Sequence, residues 1–478
     1  MAAPRGDGVT AGSFAGRHGL WTPDQLAAAE GVAAKVTELG LGVVRLAFVD
    51  AHGVLRGKTL VAEALPAPGD GVNATTTLLL KDLAGTTVFP VFSDGGAFPD
   101  QPLMRGAADM VMLPDPKTFQ VLPWAPHSGW MLCDLFLPDG TPMPLSSRAI
   151  LARQVDALAA RGLVWTAGIE VECHVVRADH SVLNAGYQYL TELRYDELDP
   201  LMERLRAALQ ALGLPLRTLE VEFGPSQIEL TFGPADGMAP ADQLILVRSC
   251  VKQVCRRAGY VASFMSKPRL PRAVASGWHL HQSLRDASGR NLFAADTAHG
   301  GLYLSPLARQ WLAGLLAHAA GACAMTTPTV NGYRRYRPRT NAPTRACWAA
   351  DNRGAMMRVL GGAHPHDPAT RLENRVGEPA ANPYLAMAAQ IAAGLDGVDR
   401  ALDPGAAATA PYECNAPLLP RGLGEALAAL RDDACLGAAF GPMFVEYFMR
   451  LKTAELDRAL DAASVVTEWE HTEYFDLL

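Results

Sequence analysis

Apolar residues recur along this chain with two periods, and the switches between them mark out the elements. Across "PDQLAAAEGVAAKVTEL" (23–39) apolar positions three and four apart predict a helix. Thr22 is placed to cap it, Pro23 suits its first turn, Gln25 completes a capping box, and Gly40 supplies the stop. "GVVRLAFVDAHGVLRGKTLV" predicts two strands around a turn at Asp50–Gly53. From there to about Pro126 short apolar runs are broken by proline and glycine, which predicts short strands and no long helix. The expected organisation is a flexible, small-residue lead over 1–20, a helix and sheet-rich domain over 21–126, and a larger domain over 127–478. In the larger domain "SSRAILARQVDALAARGL" predicts a helix stopping at Gly162, and "LDPLMERLRAALQALGL" one stopping at Gly213. "ADQLILVRSCVKQVCRRAG", "SPLARQWLAGLLAHAAGACAM" and the alanine-rich end from Ala381 predict further helices.

The strands between them carry charge where a core strand should not. In "WTAGIEVECHVV" every second residue points to the same face, so Glu170, Glu172 and His174 share one side. Cys173 falls on the other side, with the core. Glu220 and Glu222 alternate likewise in "RTLEVEFGPSQIEL", with Glu229 after the bend, and His279 and His281 pair in "GWHLHQSL". Any one such pair reads most simply as the solvated face of an antiparallel strand. The repetition, in strands whose other face is apolar, points instead to crowded carboxylates that raise one another's pKa and need a counter-ion. Oxygen ligands with an occasional histidine suit Mg²⁺ or Mn²⁺ better than a thiolate-loving metal.

Arginines supply the complementary charge. "NGYRRYRPRTNAPTRACWAADNRGAMMRV" and "RLENRVG" include Arg335, Arg353, Arg358 and Arg375 in a long irregular stretch, several beside aromatic residues and glycine. Guanidinium forks match phosphate and carboxylate oxygens. Metal-binding acids with arginines are the equipment of phosphoryl transfer, and the absence of a G-x-x-x-x-G-K-[ST] pattern argues against a P-loop enzyme.

Composition narrows the class further. The chain has 478 residues, 49% of them hydrophobic, and a formal net charge of −7, which argues against general nucleic-acid binding. Eight cysteines show no C-x-x-C pair and read as reduced core thiols. The start lacks a signal-type apolar segment and no apolar run is long enough to span a bilayer, so a cytoplasmic enzyme without a membrane partner is expected.

Taken in order, "GIEVEC", "EFGPSQIEL", "SGWHLHQSL", "APTRACWAADNRGAMMRV" and "RLENRVGEPAANPYLAMA" resemble the glutamine synthetase family, over nearly all the chain from Leu41 onward. The resemblance implies an α+β fold: a small N-terminal β-grasp domain, then a catalytic domain whose curved antiparallel sheet forms a half-barrel flanked by helices. It implies one metal site at Glu172, Glu222 and Glu229 and another at Glu170, His279 and Glu373. His281 and Ser283 match ATP contacts, Arg353 and Arg358 phosphate-binding arginines, and Arg335 and Arg375 the residues that hold glutamate. Arg335 and Arg353 thereby also count as catalytic, with Asp50, which matches an acid that reaches a neighbouring subunit's site and helps deprotonate the incoming nitrogen. Two stacked rings of six subunits are the implied assembly.

Two departures bear on the substrate. Where glutamine synthetases place an acid on the loop after the substrate arginine, this chain has Asn341; where they read Asn-Gly before Ser-Gly-x-His, it has Val274 and Ala275. A less charged nitrogen pocket implies an organic amine joined to glutamate as a γ-glutamylamide. Glutamine synthesis from ammonia, or ligation of a different carboxylate, are the alternatives. A guanidino kinase is disfavoured by the β-rich N-terminal domain and the "ANPYLA" segment, and a degenerate binding ring by the intact set of six metal-ligand positions.

Overall fold

The computed structural model describes residues 11–94, 96–98, 100–461 and 468–478. The chain divides into two compact units, Met1–Ala149 and Ile150–Leu478. In the first, β1 (Val43–Val49) and β2 (Leu55–Val61) form the expected hairpin. β3 (Val72–Thr75), β4 (Asp109–Pro114), β5 (Gln120–Val121) and β6 (Ser128–Phe136) complete the sheet, in the order β2-β1-β6-β4-β3 with β5 against β6. β6 runs parallel to β1 and antiparallel to β4. Its backbone groups are therefore satisfied inside the first sheet, and the unit extends past the boundary expected at 126.

The helix Pro23–Glu38 has the predicted ends: a reciprocal capping box between Thr22 and Gln25, and Gly40 at φ +58°. The flexible lead expected over 1–20 is corrected at its described end. Phe14–His18 forms a short helix capped by Ser13, and Phe14 and Ala15 pack with Val111, Leu113 and Phe136. Burial of the Phe14 ring outweighs the local preference of a glycine-rich segment for disorder. The rest of that lead, residues 1–10, lies outside the described residues.

The second unit is built on a long strand, β7 (Val164–Arg177), which pairs with β9 (Gln227–Phe232), β10 (Ala235–Asp236), β11 (Tyr260–Ser263) and β12 (Trp278–Arg285). With β8 (Leu216–Val221), β15 (Trp348–Ala350), β16 (Met357–Leu360) and β17 (Arg371–Asn374) they form a nine-stranded sheet, ordered β15-β16-β17-β12-β7-β9-β8 along its main path. Every pairing in it is antiparallel except β15 with β16, and the sheet curves into a nearly closed, barrel-like surface. A separate hairpin comprises β13 (Ala294–His299) and β14 (Leu302–Leu304). The arginine-rich stretch is thus less irregular than expected, because β15, β16 and β17 fall within it.

Helices back this sheet. Asn382 caps Pro383–Asp399 by accepting from the Tyr384 and Leu385 N–H groups. Gln390 of that helix accepts from Gln282 on β12 (3.1 Å) and from Asn374 on β17 (2.8 Å), while the Trp165 and Trp311 indoles donate to Gln282 Oε1. These buried bonds fix two central strands from behind. The helix Pro306–Ala317 crosses Pro383–Asp399 closely at Gly314, where a Cβ would lie 2.0 Å from the Ala393 carbonyl oxygen. The single helix expected over 305–325 is two, Pro306–Ala317 and Ala319–Thr326, broken at His318. The helix expected to begin near Leu198 starts at Glu192, because burial of Leu198, Leu201, Met202 and Leu205 outweighs the backbone bond that Pro200 forfeits inside it. All eight cysteines are free, Cys173 among the fully buried ones. Among the described residues no helix is long and apolar enough to cross a membrane.

Candidate active site

Strand register converts the alternating acids into clusters. Glu172 on β7 pairs with Glu229 on β9, and Glu229 in turn with Glu220 on β8. Two residues along β7, Glu170 pairs with His279 on β12; His281 pairs with Glu373 on β17, and Glu373 with Arg358 on β16. Directly paired residues project to the same face, so these eight side chains collect on one side of the sheet.

Glu172, Glu222 and Glu229 form the first cluster. All three are buried. Glu222 follows β8, and its N–H donates to the Gln227 carbonyl oxygen to close the bend that aims it at Glu229. Burial, and then the Glu222 charge, pushes the Glu172 carboxyl up to about 8. Burial and then Glu172 push Glu229 up to about 10, and Glu222 is raised as well, chiefly by burial. Three buried carboxylates repelling one another fit a divalent cation, whose charge would restore all of them to the ionised form. Gln227 Nε2 steadies Glu172 at 2.8 Å.

The second cluster is differently balanced. His279 Nδ1 lies 3.3 Å from Glu170 and 3.8 Å from Glu373, and His281 Nε2 lies 2.7 Å from Glu170. Glu170, His281 and Glu373 also offer ligand atoms within 4.8 Å of one another. Burial, then the Arg375 charge, pushes His279 down to about 4, which leaves a neutral ring with a lone pair for a metal. Burial works to raise Glu170, but hydrogen bonds with His279 and His281 hold its carboxyl well below the ordinary range. Burial likewise opposes ionisation of Glu373, and its interactions with His279 and with the Arg375 guanidinium hold the carboxyl below the ordinary range. Arg358 donates to Glu373 at 3.0 Å, and Arg375 bonds its other oxygen.

The arginines are brought to this face unequally. Buried Arg335 donates to the Arg375 carbonyl oxygen at 2.7 Å and lies 3.2 Å from His279 Nε2. Gly277 makes room for it: a Cβ there would sit 2.5 Å from Arg335 Nη2. Arg375 reaches the carbonyl oxygens of Arg353 (3.1 Å) and Asn341 (3.4 Å). Asn341 is exposed with φ +57°, a left-handed conformation that asparagine tolerates well, and the Arg353 side chain is exposed. Asp50 belongs to the first unit. Its carboxylate accepts from the N–H groups of His52 and Val54 and from Arg56 Nε at 2.6 Å, within its own turn.

A cleft of about 780 Å³ opens beside the second cluster, lined by Glu170, His281, Ser283, Arg285, Asn291 and Arg371 among others. Arg371 Nε donates to His281 Nδ1 at 3.1 Å and so fixes the ring that faces Glu170. Sequence reasoning singles out neither Arg371, one of the arginines of the basic stretch, nor Gln227, although a signal existed for the first: Arg371, Glu373 and Arg375 alternate as the acids do. His174, grouped with the acids by parity, is fully buried, and its Nδ1 lies 3.3 Å from Ser276 Oγ. Burial pushes it down to about 3, so it serves as a neutral core residue.

Similarity to known proteins agrees with this arrangement. The description "Glutamine synthetase, catalytic domain" matches residues 144–474. A γ-glutamylanilide synthase from Acinetobacter sp. is 42% identical, across 97% of this chain and 99% of its own length. A γ-glutamylethanolamide synthetase from Streptomyces coelicolor is 33% identical, across 91% and 93%. A solved structure of GmaS without ligand superposes with a TM-score of 0.78 at 28% identity, covering 92% of this chain and 98% of that one. The chain belongs to the glutamine synthetase family, whose ligases use ATP and divalent metals.

Proposed function

We propose that this protein is an ATP-dependent carbon–nitrogen ligase that phosphorylates the γ-carboxylate of glutamate and transfers the acyl group to an organic amine. The observation that carries this function is the pairing of Glu172 with Glu229 beside Glu170 and His279 on one sheet face. Support for an organic amine comes from relatives named for γ-glutamylanilide and γ-glutamylethanolamide, and from an uncharged Asn341 where glutamine synthetases carry an acid.

Glu172, Glu222 and Glu229 would hold one Mg²⁺ or Mn²⁺, and Glu170, His279 and Glu373 a second. Cations bound there supply positive charge opposite the β- and γ-phosphates of ATP. His281 and Ser283 position the nucleotide, Arg353 and Arg358 pair with its phosphates, and Arg335 and Arg375 clamp the glutamate. A γ-carboxylate oxygen attacks the γ-phosphorus, the bond to the β-phosphate oxygen breaks, and ADP leaves. The amine lone pair then attacks the acyl carbon, phosphate departs, and a carboxylate takes the nitrogen's proton. Asp50 of a neighbouring copy is assigned that last role, in a cytoplasmic dodecamer of two six-membered rings.

The test is product analysis with ATP, Mg²⁺, glutamate and, separately, ammonia, ethylamine and aniline. A γ-glutamylamide formed with stoichiometric ADP and phosphate is expected. Turnover of ammonia alone would make the protein a glutamine synthetase instead.

A further inference from the structure

Beside the acid cluster the chain displays aromatic surface that the ligase chemistry above does not use. Tyr189 and Phe223 stack with ring centroids 4.1 Å apart and planes within 4°, yet are 43% and 45% exposed. They line a cavity of about 420 Å³ together with Tyr187, Arg272 and Val274. That volume falls in the range of small-molecule pockets.

The wall is built rather than incidental. Gln188 Nε2 donates to the Gly224 carbonyl oxygen (2.9 Å) and to that of Gln227 (3.1 Å), tying the 185–191 loop to the bend that carries Phe223. The Leu190 N–H donates to the Val221 carbonyl oxygen at 3.0 Å. The Arg272 guanidinium lies 5.1 Å from the Tyr187 ring centroid, and its Nη2 donates to the Ala185 carbonyl oxygen. Tyr187, Leu190 and Arg272 hold φ values of +57°, +50° and +58°. Bulky residues adopt this left-handed backbone only where the surroundings enforce it, and such residues gather at ligand sites.

The cavity also has the right neighbour. Phe223 follows Glu222 in the chain, and its N–H donates to Glu222 Oε2 at 3.2 Å. An aromatic amine needs such a place: a flat apolar surface for its ring, set directly beside the acid cluster where the amide bond would form. Because arylamines are uncharged at neutral pH, they do not require the acid that Asn341 replaces.

Resting on the ligase function proposed above, we propose that the Tyr189–Phe223 pair and Val274 form the subsite for the amine's ring and select aromatic amines over ammonia. Offset or face-to-face contact with the exposed aromatic surface would hold the ring, and Val274 excludes the polar contacts that favour a small cation.

The test compares kcat/KM for aniline, ethylamine and ammonia in the full-length protein and in Phe223→Ala and Val274→Asn, with the assembly mass of each measured by light scattering. The aniline-to-ammonia ratio should fall at least tenfold in Phe223→Ala and about threefold or more in Val274→Asn, at unchanged mass. The Val274→Asn variant alone decides the matter if Phe223→Ala does not fold. A ratio unchanged in the folded variants overturns the subsite. So does a loss common to all three amines that accompanies a change of assembly mass, since the patch would then be a contact between copies. If the unaltered protein makes amides but the ratio does not move, only the subsite fails; if it accepts ammonia alone, the ligase function fails first.

Discussion

Glu172 and Glu229 sit directly opposite each other on adjacent strands, both buried and on the same face. Like charges at such a position destabilise a sheet, and burial compounds the cost. A divalent cation held between them, as proposed above, would convert this liability into a ligand pair.

Replacing Glu229 by glutamine removes one of the opposed carboxylates. In protein stripped of metal by chelation, Glu229→Gln should raise stability by up to about 1 kcal/mol, the scale of a relieved cross-strand charge pair. Mg²⁺ should then stabilise the unaltered protein more than the variant. Thermal melts with and without the ion measure both effects, and equal Mg²⁺ shifts would count against a cation at Glu229.

Arg335 is buried and reaches past Gly277 toward His279. A lysine there keeps the charge but loses the fork. Loss of a charge-assisted bond of about 1.5–3 kcal/mol predicts that Arg335→Lys lowers kcat/KM for glutamate by about 10–100-fold. Initial rates at varied glutamate check this, and a loss confined to ATP would contradict the assignment.

Gly277 gives an independent check on the same arginine. Gly277→Ala places a Cβ 2.5 Å from Arg335 Nη2, so the guanidinium must move. The expected result is a raised KM for glutamate with little change in thermal stability, because the displaced atoms end a flexible side chain. Lost stability with unchanged KM would mean that the backbone yields and Arg335 stays.

The acids were legible in the sequence because parity along a strand needs only one segment: Glu170 with Glu172, and Glu220 with Glu222. Which acid meets which was not, since register is a relation between segments distant in sequence, such as Glu172 with Glu229. The same limit hid β6, whose place beside β1 is set by pairing across more than eighty residues. Parity alone left the role of His174 open: it shares the acids' face but lies where Ser276 and burial make a core residue of it. The short helix at Phe14 was masked by its glycine-rich surroundings, because its stability comes from Val111, Leu113 and Phe136 rather than from local propensity.

His318, where the predicted long helix breaks, gives a pH prediction away from the active site. Its Nδ1 bonds Asp433 and its Nε2 bonds Asp396, each at 2.8 Å. Hydrogen bonds to Asp433 first, then to Cys435 and Asp396, raise its pKa to about 11. A histidine raised above its unfolded value, about 6.5, contributes stability that is complete below that pH and is lost as pH rises toward 11. His318→Gln should therefore destabilise most near pH 6, with the gap to the unaltered protein narrowing toward pH 10. Melting curves across that interval decide it, and a constant gap would show that packing rather than charge carries the contribution.

Manganese binding followed by electron paramagnetic resonance addresses the two acid clusters most directly. The unaltered protein is predicted to bind two Mn²⁺ per chain in the presence of ADP, with Glu172→Gln and Glu373→Gln each weakening one of them. No bound manganese, or binding unaffected by both substitutions, would contradict the account.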